Sequence, residues 1–468
     1  MKTLSLSRGS LSAVREYPFG GHAVPGKARP RRPCLGPAAL LLSSLLALVG
    51  APSLSARTPL GDGAALGSLP ENWEARSLMR DTIFAPVRDA AAMPPRVIRQ
   101  TESTAEVSFR ADLQEGAAFL VFSNRSARGF RLDNAGTFII KRSLADGSFI
   151  QAKVFVQNDP GCFLRIFPQA DRTVMDVVLY GLEFQTHVLL PARFETLLTA
   201  PFSRIVDLSR TSVDWRLVLS PEQGPGDARI AAIVDAVRSR LHQLRDMDDG
   251  AMDAAGRLVF IATGERAPAG RGGFNCSGFA KWIIDGFYAP LTGSLTDISE
   301  LRSRDSDQRG TAWSARYEEE QDPYFGLDWS RGLGRALQRE RSGVMPGPDA
   351  LDVRDSDRIP WLRDVGYPVG SLRALLYFEA RQQAGTFYLG SVNARAKGAP
   401  AGSSPLLRRH HHVVVLFPWF DANGDFRLVV MERNKETSAA SLASRYPDEY
   451  VNLVRVDSNG TFFLPEPR

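Results

Sequence analysis

Hydrophobic and polar positions change period three times along the chain. From about residue 108 to 211, short runs rich in Val, Ile and Phe alternate with turn residues: AAFLVFSN, GTFIIKRS, SFIQAKVFVQN, GCFLRIFP, TVMDVVLYG and FQTHVLLP. Asp133-Asn134, Asp146-Gly147 and Pro160-Gly161 separate some of them. Short β-rich runs between turn pairs predict an all-β sandwich or small barrel over residues 101–215. The period then lengthens. In 227–247, Ile230, Ile233, Val234, Val237, Leu241 and Leu244 recur at helical spacing with Asp and Arg between them, which predicts an amphipathic helix opening a second domain. Beyond it lie a strand, RLVFIAT, a glycine-rich approach, GERAPAGRGG, and a helix starting at CSGFAKWIIDGFY. A helix over 370–383, a strand TFYLGSVNA and a hairpin of HHHVVVLFPWF and FRLVVMERN complete the pattern, with Asn423-Gly424 as the turn.

Two stretches lack a clear period. Residues 57–100 are Pro-, Ala- and Gly-containing and read as a linker with at most a short helix near Trp73–Arg80. Residues 297–360 are rich in Asp and Arg and read as an insertion. The domain from 226 to 468 is expected to fold alone, because the composition breaks near Gly224 and the following elements form a closed order. The fold class expected is therefore α+β, with an all-β accessory domain before it.

Charge changes the picture only at the start. Residues 1–33 hold seven basic side chains against the single acid Glu16, so the rest of the +5 chain carries a net −1. A near-neutral remainder gives no electrostatic basis for nucleic-acid binding. The basic stretch ends at Arg31-Arg32, an uncharged run follows from Pro33 to Ala56 with its apolar centre at Ala38 to Val49, and small residues close it. This is the pattern of a signal peptide over residues 1–56, and it predicts export to the periplasm or cell envelope. An uncleaved membrane anchor is the alternative for the same run.

Cysteine usage then turns attention to one residue. Past the leader only Cys162 and Cys276 remain, too few for a disulfide scaffold. Cys276 follows Gly272-Gly273 and opens a helix, where the dipole lowers a thiol pKa and unpaired N–H groups receive an oxyanion. Ser277 and Gly273 are small neighbours expected to face a substrate. Of the histidines, His410, His411 and His412 open a strand after the cysteine helix; side-chain alternation places His410 and His412 on one face, and His412 abuts the Val run. Glu432 and Asn434, on the return strand, are the two groups available to orient it. Asp421, Asn423, Asp425 and Glu432 have calcium-loop spacing, but Phe426 stands where such a loop needs glycine.

The run GGFNCSGFAKW resembles the nucleophile motif of the NlpC/P60 family of papain-like cysteine peptidases, and His412-Val413-Val414-Val415 resembles its histidine strand. The likeness covers about residues 226–435. It implies a papain-like C-terminal domain, Cys276 as nucleophile, His412 as base and Glu432 as the third member. It further implies hydrolysis of an amide in peptidoglycan stem peptides, with peptidoglycan or muropeptides as partners and no cofactor. Three features depart from the family: Asn275 where Asp is usual, no upstream Tyr in RLVFIATGERAPAG, and a long Cys-to-His interval. A non-catalytic envelope protein keeping the same fold is the competing expectation.

Overall fold

The structure is a computed structural model and describes residues 69–102, 106–125, 131–132, 135–304, 322–354, 356, 358–395 and 408–467. The expected leader, 1–56, lies outside them. The chain is mixed α+β with two principal antiparallel sheets. Among the described residues no helix is long and apolar enough to cross a membrane.

The first sheet follows chain order. Its path is β1 (Arg96–Arg99), β2 (Glu106–Gln114), β3 (Ala117–Arg125), β5 (Phe138–Ser143), β6 (Phe149–Phe155), β7 (Phe163–Gln169), β8 (Arg172–Leu179) and β9 (Leu182–Leu190), with β4 (Arg131–Leu132) pairing β3 alone. Where the sequence predicts a sandwich or small barrel, the strands form one continuous meander. One face of it, through Val107, Phe109, Leu120, Phe122, Ile140, Val154 and Leu164, packs on short helices rather than on a second sheet. Three of those helices come from the stretch read as a linker: Trp73–Leu78, Arg80–Phe84 and Val87–Ala92. They bury Ala75, Met79, Ile83 and Ala90, and the buried Arg76 donates to the carbonyls of Leu198 and Ala200 at 2.7 and 2.9 Å. Residues 69–100 therefore belong to the β layer. Helices of five or six residues are too short to show a period in sequence.

A two-stranded ribbon pairs β10 (Ala251–Met252) with β11 (Leu258–Val259), and the second main sheet has the order β12 (Tyr367–Pro368), β17 (Tyr450–Asp457), β13 (Thr386–Arg395), β14 (Arg408–Phe420), β15 (Phe426–Glu432) and β16 (Lys435–Thr437). Alternation along β14 divides two cores: Val413, Val415 and Phe417 face one, Val414, Leu416 and Phe420 the other. On the first face lie the helices Pro225–Leu241, Cys276–Thr292 and Phe325–Ser342. The last comes from the expected insertion, yet Trp329, Leu333 and Leu337 are buried and Trp329 Nε1 donates to the Ser277 carbonyl at 2.9 Å. Its residues are thus part of the core, while 305–321 lie outside the described residues.

The opposite face carries the helices Leu372–Gln382 and Ala439–Arg445, and against them the β layer. Tyr180 meets Tyr377 and Phe426 at ring distances of 4.8 and 5.3 Å, and Phe184 stacks on Phe378 at 5.4 Å. Buried Gln157 donates to the Tyr377 hydroxyl at 2.8 Å, which donates to the Leu217 carbonyl at 2.6 Å. A single apolar core spans the expected boundary near residue 226.

Candidate active site

Local packing explains why the chain turns at Cys276. The strand-like segment 245–250 runs beside 273–275: Phe274 N donates to Arg245 O at 2.9 Å, Met247 N to Phe274 O at 3.1 Å, and Asn275 N to Gly250 O at 3.0 Å. Gly273 and Gly278 permit this approach, since a Cβ on Gly273 would sit 2.5 Å from the Arg245 carbonyl oxygen and one on Gly278 2.0 Å from that of Gly250. Asn275 then caps the helix Cys276–Thr292, its Oδ1 accepting from Gly278 N at 2.7 Å. Asparagine and aspartate cap equally well, so the departure at this position leaves the helix start intact. Cys276 is the first residue of the helix, whose N–H has no intrahelical acceptor.

The half-buried thiol of Cys276 hydrogen-bonds the imidazole of His412. His412 is 6% exposed, and its Nε2 lies 2.5 Å from Glu432 Oε2, which leaves Nδ1 for the sulfur. Glu432 is 1% exposed. Its other oxygen accepts from Thr437 Oγ1 at 2.7 Å and from Arg445. The three residues form one unbroken chain of contacts, and each polarises the next.

Their ionisation follows. Burial opposes a charged thiolate at Cys276, but the hydrogen bond and charge of His412, with the Val413 N–H, outweigh it and hold the thiol below its ordinary range. Burial likewise opposes a charged imidazole, yet Cys276 and Glu432 on either side raise His412 to about 9. Burial works to raise Glu432, and His412, Thr437 and Arg445 nevertheless lower it to about 2. A thiolate–imidazolium pair is the state this arrangement favours, and that pair is a nucleophile beside a proton donor. Cys162 is the contrast: burial pushes its thiol up to about 12.

The three histidines separate sharply. The register between β13 and β14 shifts at Val392/Asn393, so that His412 faces Val392 and His410 faces Asn393. That bulge places His410 and His412 on opposite faces of the sheet, where simple alternation puts them on one. His410 packs beside Tyr324 at the start of the Phe325–Ser342 helix, with Nδ1 at 2.9 Å from Ser391 Oγ and Nε2 at 2.8 Å from Asp364 O, and burial lowers it to about 4. It is a neutral, hydrogen-bonded core residue. His411 is exposed, edge-on to Tyr446.

Asn434, the other orienting group available in sequence, does not reach His412; its Nδ2 donates to Phe274 O at 3.4 Å. Ser277 is 3% exposed and its hydroxyl bonds the thiol, while Gly273 is buried against residue 245, so both line the back of the nucleophile rather than an open surface. Asp421 accepts from the N–H groups of Asn423 and Asp425 within its turn, and Glu432 is engaged at His412. Three nearby residues carry no signal in sequence. Tyr446 packs on the His412 ring at 6.2 Å, Arg445 holds Glu432, and Arg433 is close enough for its charge to interact with Cys276. Only chain folding brings them there, since no motif includes them.

Residues 66–217 match a family described as a domain of unknown function (DUF8515). The match spans the β layer and stops before Cys276, His412 and Glu432. Comparison with curated proteins and with solved structures gives no match.

Proposed function

We propose that the chain is an exported cysteine hydrolase whose C-terminal half has a papain-like arrangement, with Cys276 as nucleophile, His412 as acid–base and Glu432 as orienting group. The observation that carries this reading is the contact chain from thiol to imidazole to carboxylate. Cys276 thiolate attacks a carbonyl carbon, and the oxyanion is received by N–H groups of the first helical turn. The His412 imidazolium donates its proton to the leaving amine, giving a thioester. Water, deprotonated by His412, then releases the acid and regenerates the thiol. The resemblance of GGFNCSGFAKW to the NlpC/P60 motif supports an amide in peptidoglycan stem peptides as the bond, and the leader-like sequence of 1–56 supports export.

The test combines activity with thiol chemistry. On muropeptides, Cys276→Ala is expected to abolish hydrolysis while keeping stability within about 1 kcal/mol, since the thiol is only half-buried at a helix start. Iodoacetamide at neutral pH is expected to label Cys276 far faster than Cys162. Equal labelling, or full activity in Cys276→Ala, overturns the reading.

A further inference from the structure

Two residues beside the site hold a left-handed backbone conformation, which asparagine tolerates and arginine disfavours. Arg433 has φ 44° and Asn434 φ 63°. They form the two-residue turn between Glu432 and Lys435, which face each other across β15 and β16. A turn with both central residues at positive φ is best made with glycine, above all at its second position. Arginine there is uncommon, and strain of this kind collects at functional sites. Asn434 Oδ1 is moreover buried with no hydrogen-bond partner among the described residues.

Both side chains cross to the segment that carries the nucleophile. Arg433 Nε and Nη2 bond Asp246 at 3.2 and 3.1 Å, and Nη2 reaches Asp248 at 3.4 Å. Asn434 Nδ2 donates to the Phe274 carbonyl, two residues before Cys276. Between the aspartates, Met247 N donates to that same carbonyl, and Asp248 O accepts from the Asn275 side chain at 3.3 Å. The turn immediately follows Glu432. One side of these contacts therefore belongs to the orienting carboxylate and the other to the thiol.

We infer that the Arg433–Asn434 turn is a clasp that holds the nucleophile segment against the Glu432 strand and so sets the approach of Cys276 to His412. The inference rests on the proposed thiol–imidazole pair. Arg433 and Asn434 are positioning residues, acting through the groups they hold. The charged and titratable groups around the thiol are His412 from β14, Glu432 from β15, Arg433 from the turn, Asp246 and Asp248 from the facing segment, and Arg445 and Tyr446 from the end of the Ala439–Arg445 helix.

The experiment is the pH profile of Cys276 alkylation by iodoacetamide, read by mass spectrometry on the full chain, in the wild type, Asn434→Gly and Arg433→Lys. Both substitutions conserve charge, so a shift cannot come from a changed field alone. Glycine suits the positive φ, so Asn434→Gly is expected to keep or raise Tm. In each variant the midpoint is expected to rise by about one pH unit, a tenfold fall in thiolate on the acidic side. Unchanged midpoints beside a fast-reacting wild type overturn the clasp and leave the proposed function standing. A fall in Tm of Asn434→Gly that accompanies its shift also overturns it, because general loosening then accounts for the change. A wild-type Cys276 no faster than Cys162 overturns the functional reading itself.

Discussion

His410 and His412 differ by two positions and have opposite surroundings, and that difference can be measured. His412→Ala is expected to lower turnover at least about a hundredfold with the fold retained, since a positioned general base contributes ~10²–10⁴-fold. His410→Ala is expected to act on stability, costing about 2 kcal/mol or more in denaturant unfolding, because it leaves buried Ser391 and Asn393 without their partner. His412 also sets a pH limit. Folding raises its pKa from 6.5 to about 9, so the native state holds the proton more tightly. The ion pair's stability is full below about 6.5 and is lost as pH rises through about 9. The proposed hydrolysis would need that proton for the leaving amine, so its alkaline limb is expected near pH 9. Glu432→Gln removes the carboxylate that supports the imidazolium, and its limb should move to lower pH with a turnover between wild type and His412→Ala. A limb that stays in place would show that Glu432 does not govern His412.

At the scale of elements, the helix Cys276–Thr292 works because its first turn sits directly on the backbone of Gly250. Gly278→Ala places a Cβ 2.0 Å from that carbonyl oxygen, a contact that backbone cannot yield cheaply. The expected result is a loss of about 3 kcal/mol in unfolding free energy, together with slowed alkylation of Cys276 as the helix start is pushed away. How far such features were readable in sequence depended on range. The cysteine helix, the Asn423-Gly424 hairpin and the helix over 370–383 announced themselves through local period and turn chemistry. The Phe325–Ser342 helix did not, because its buried face includes Asp328, Ser330 and Arg331, polar residues that blur a hydrophobic stripe. Nor did β17, which enters the sheet between β12 and β13, a pairing that no local pattern specifies.

Across the whole molecule, the β layer and the C-terminal sheet share one core. Tyr180 and Phe184 cover Tyr377, Phe378 and Phe426, and their removal exposes aromatic surface that a soluble domain does not carry. Against the sequence expectation that residues 226–468 fold alone, this shared core argues that the β layer completes the fold. That fragment is expected to aggregate or to lack a near-UV circular dichroism signal, and co-expression with residues 57–225 is expected to restore both solubility and signal.

The residue types suited to thiol chemistry, the helix at Cys276 and the candidates His412 and Glu432 were legible in linear order, because motif spacing and hydrophobic period are local properties. The face of the sheet that each histidine occupies was not, since it turns on a bulge in the pairing of β14 with β13. The proximity of Arg433, Arg445 and Tyr446 to the thiol was not either. These depend on which strands pair and in what register, and such long-range contacts leave no period in the chain.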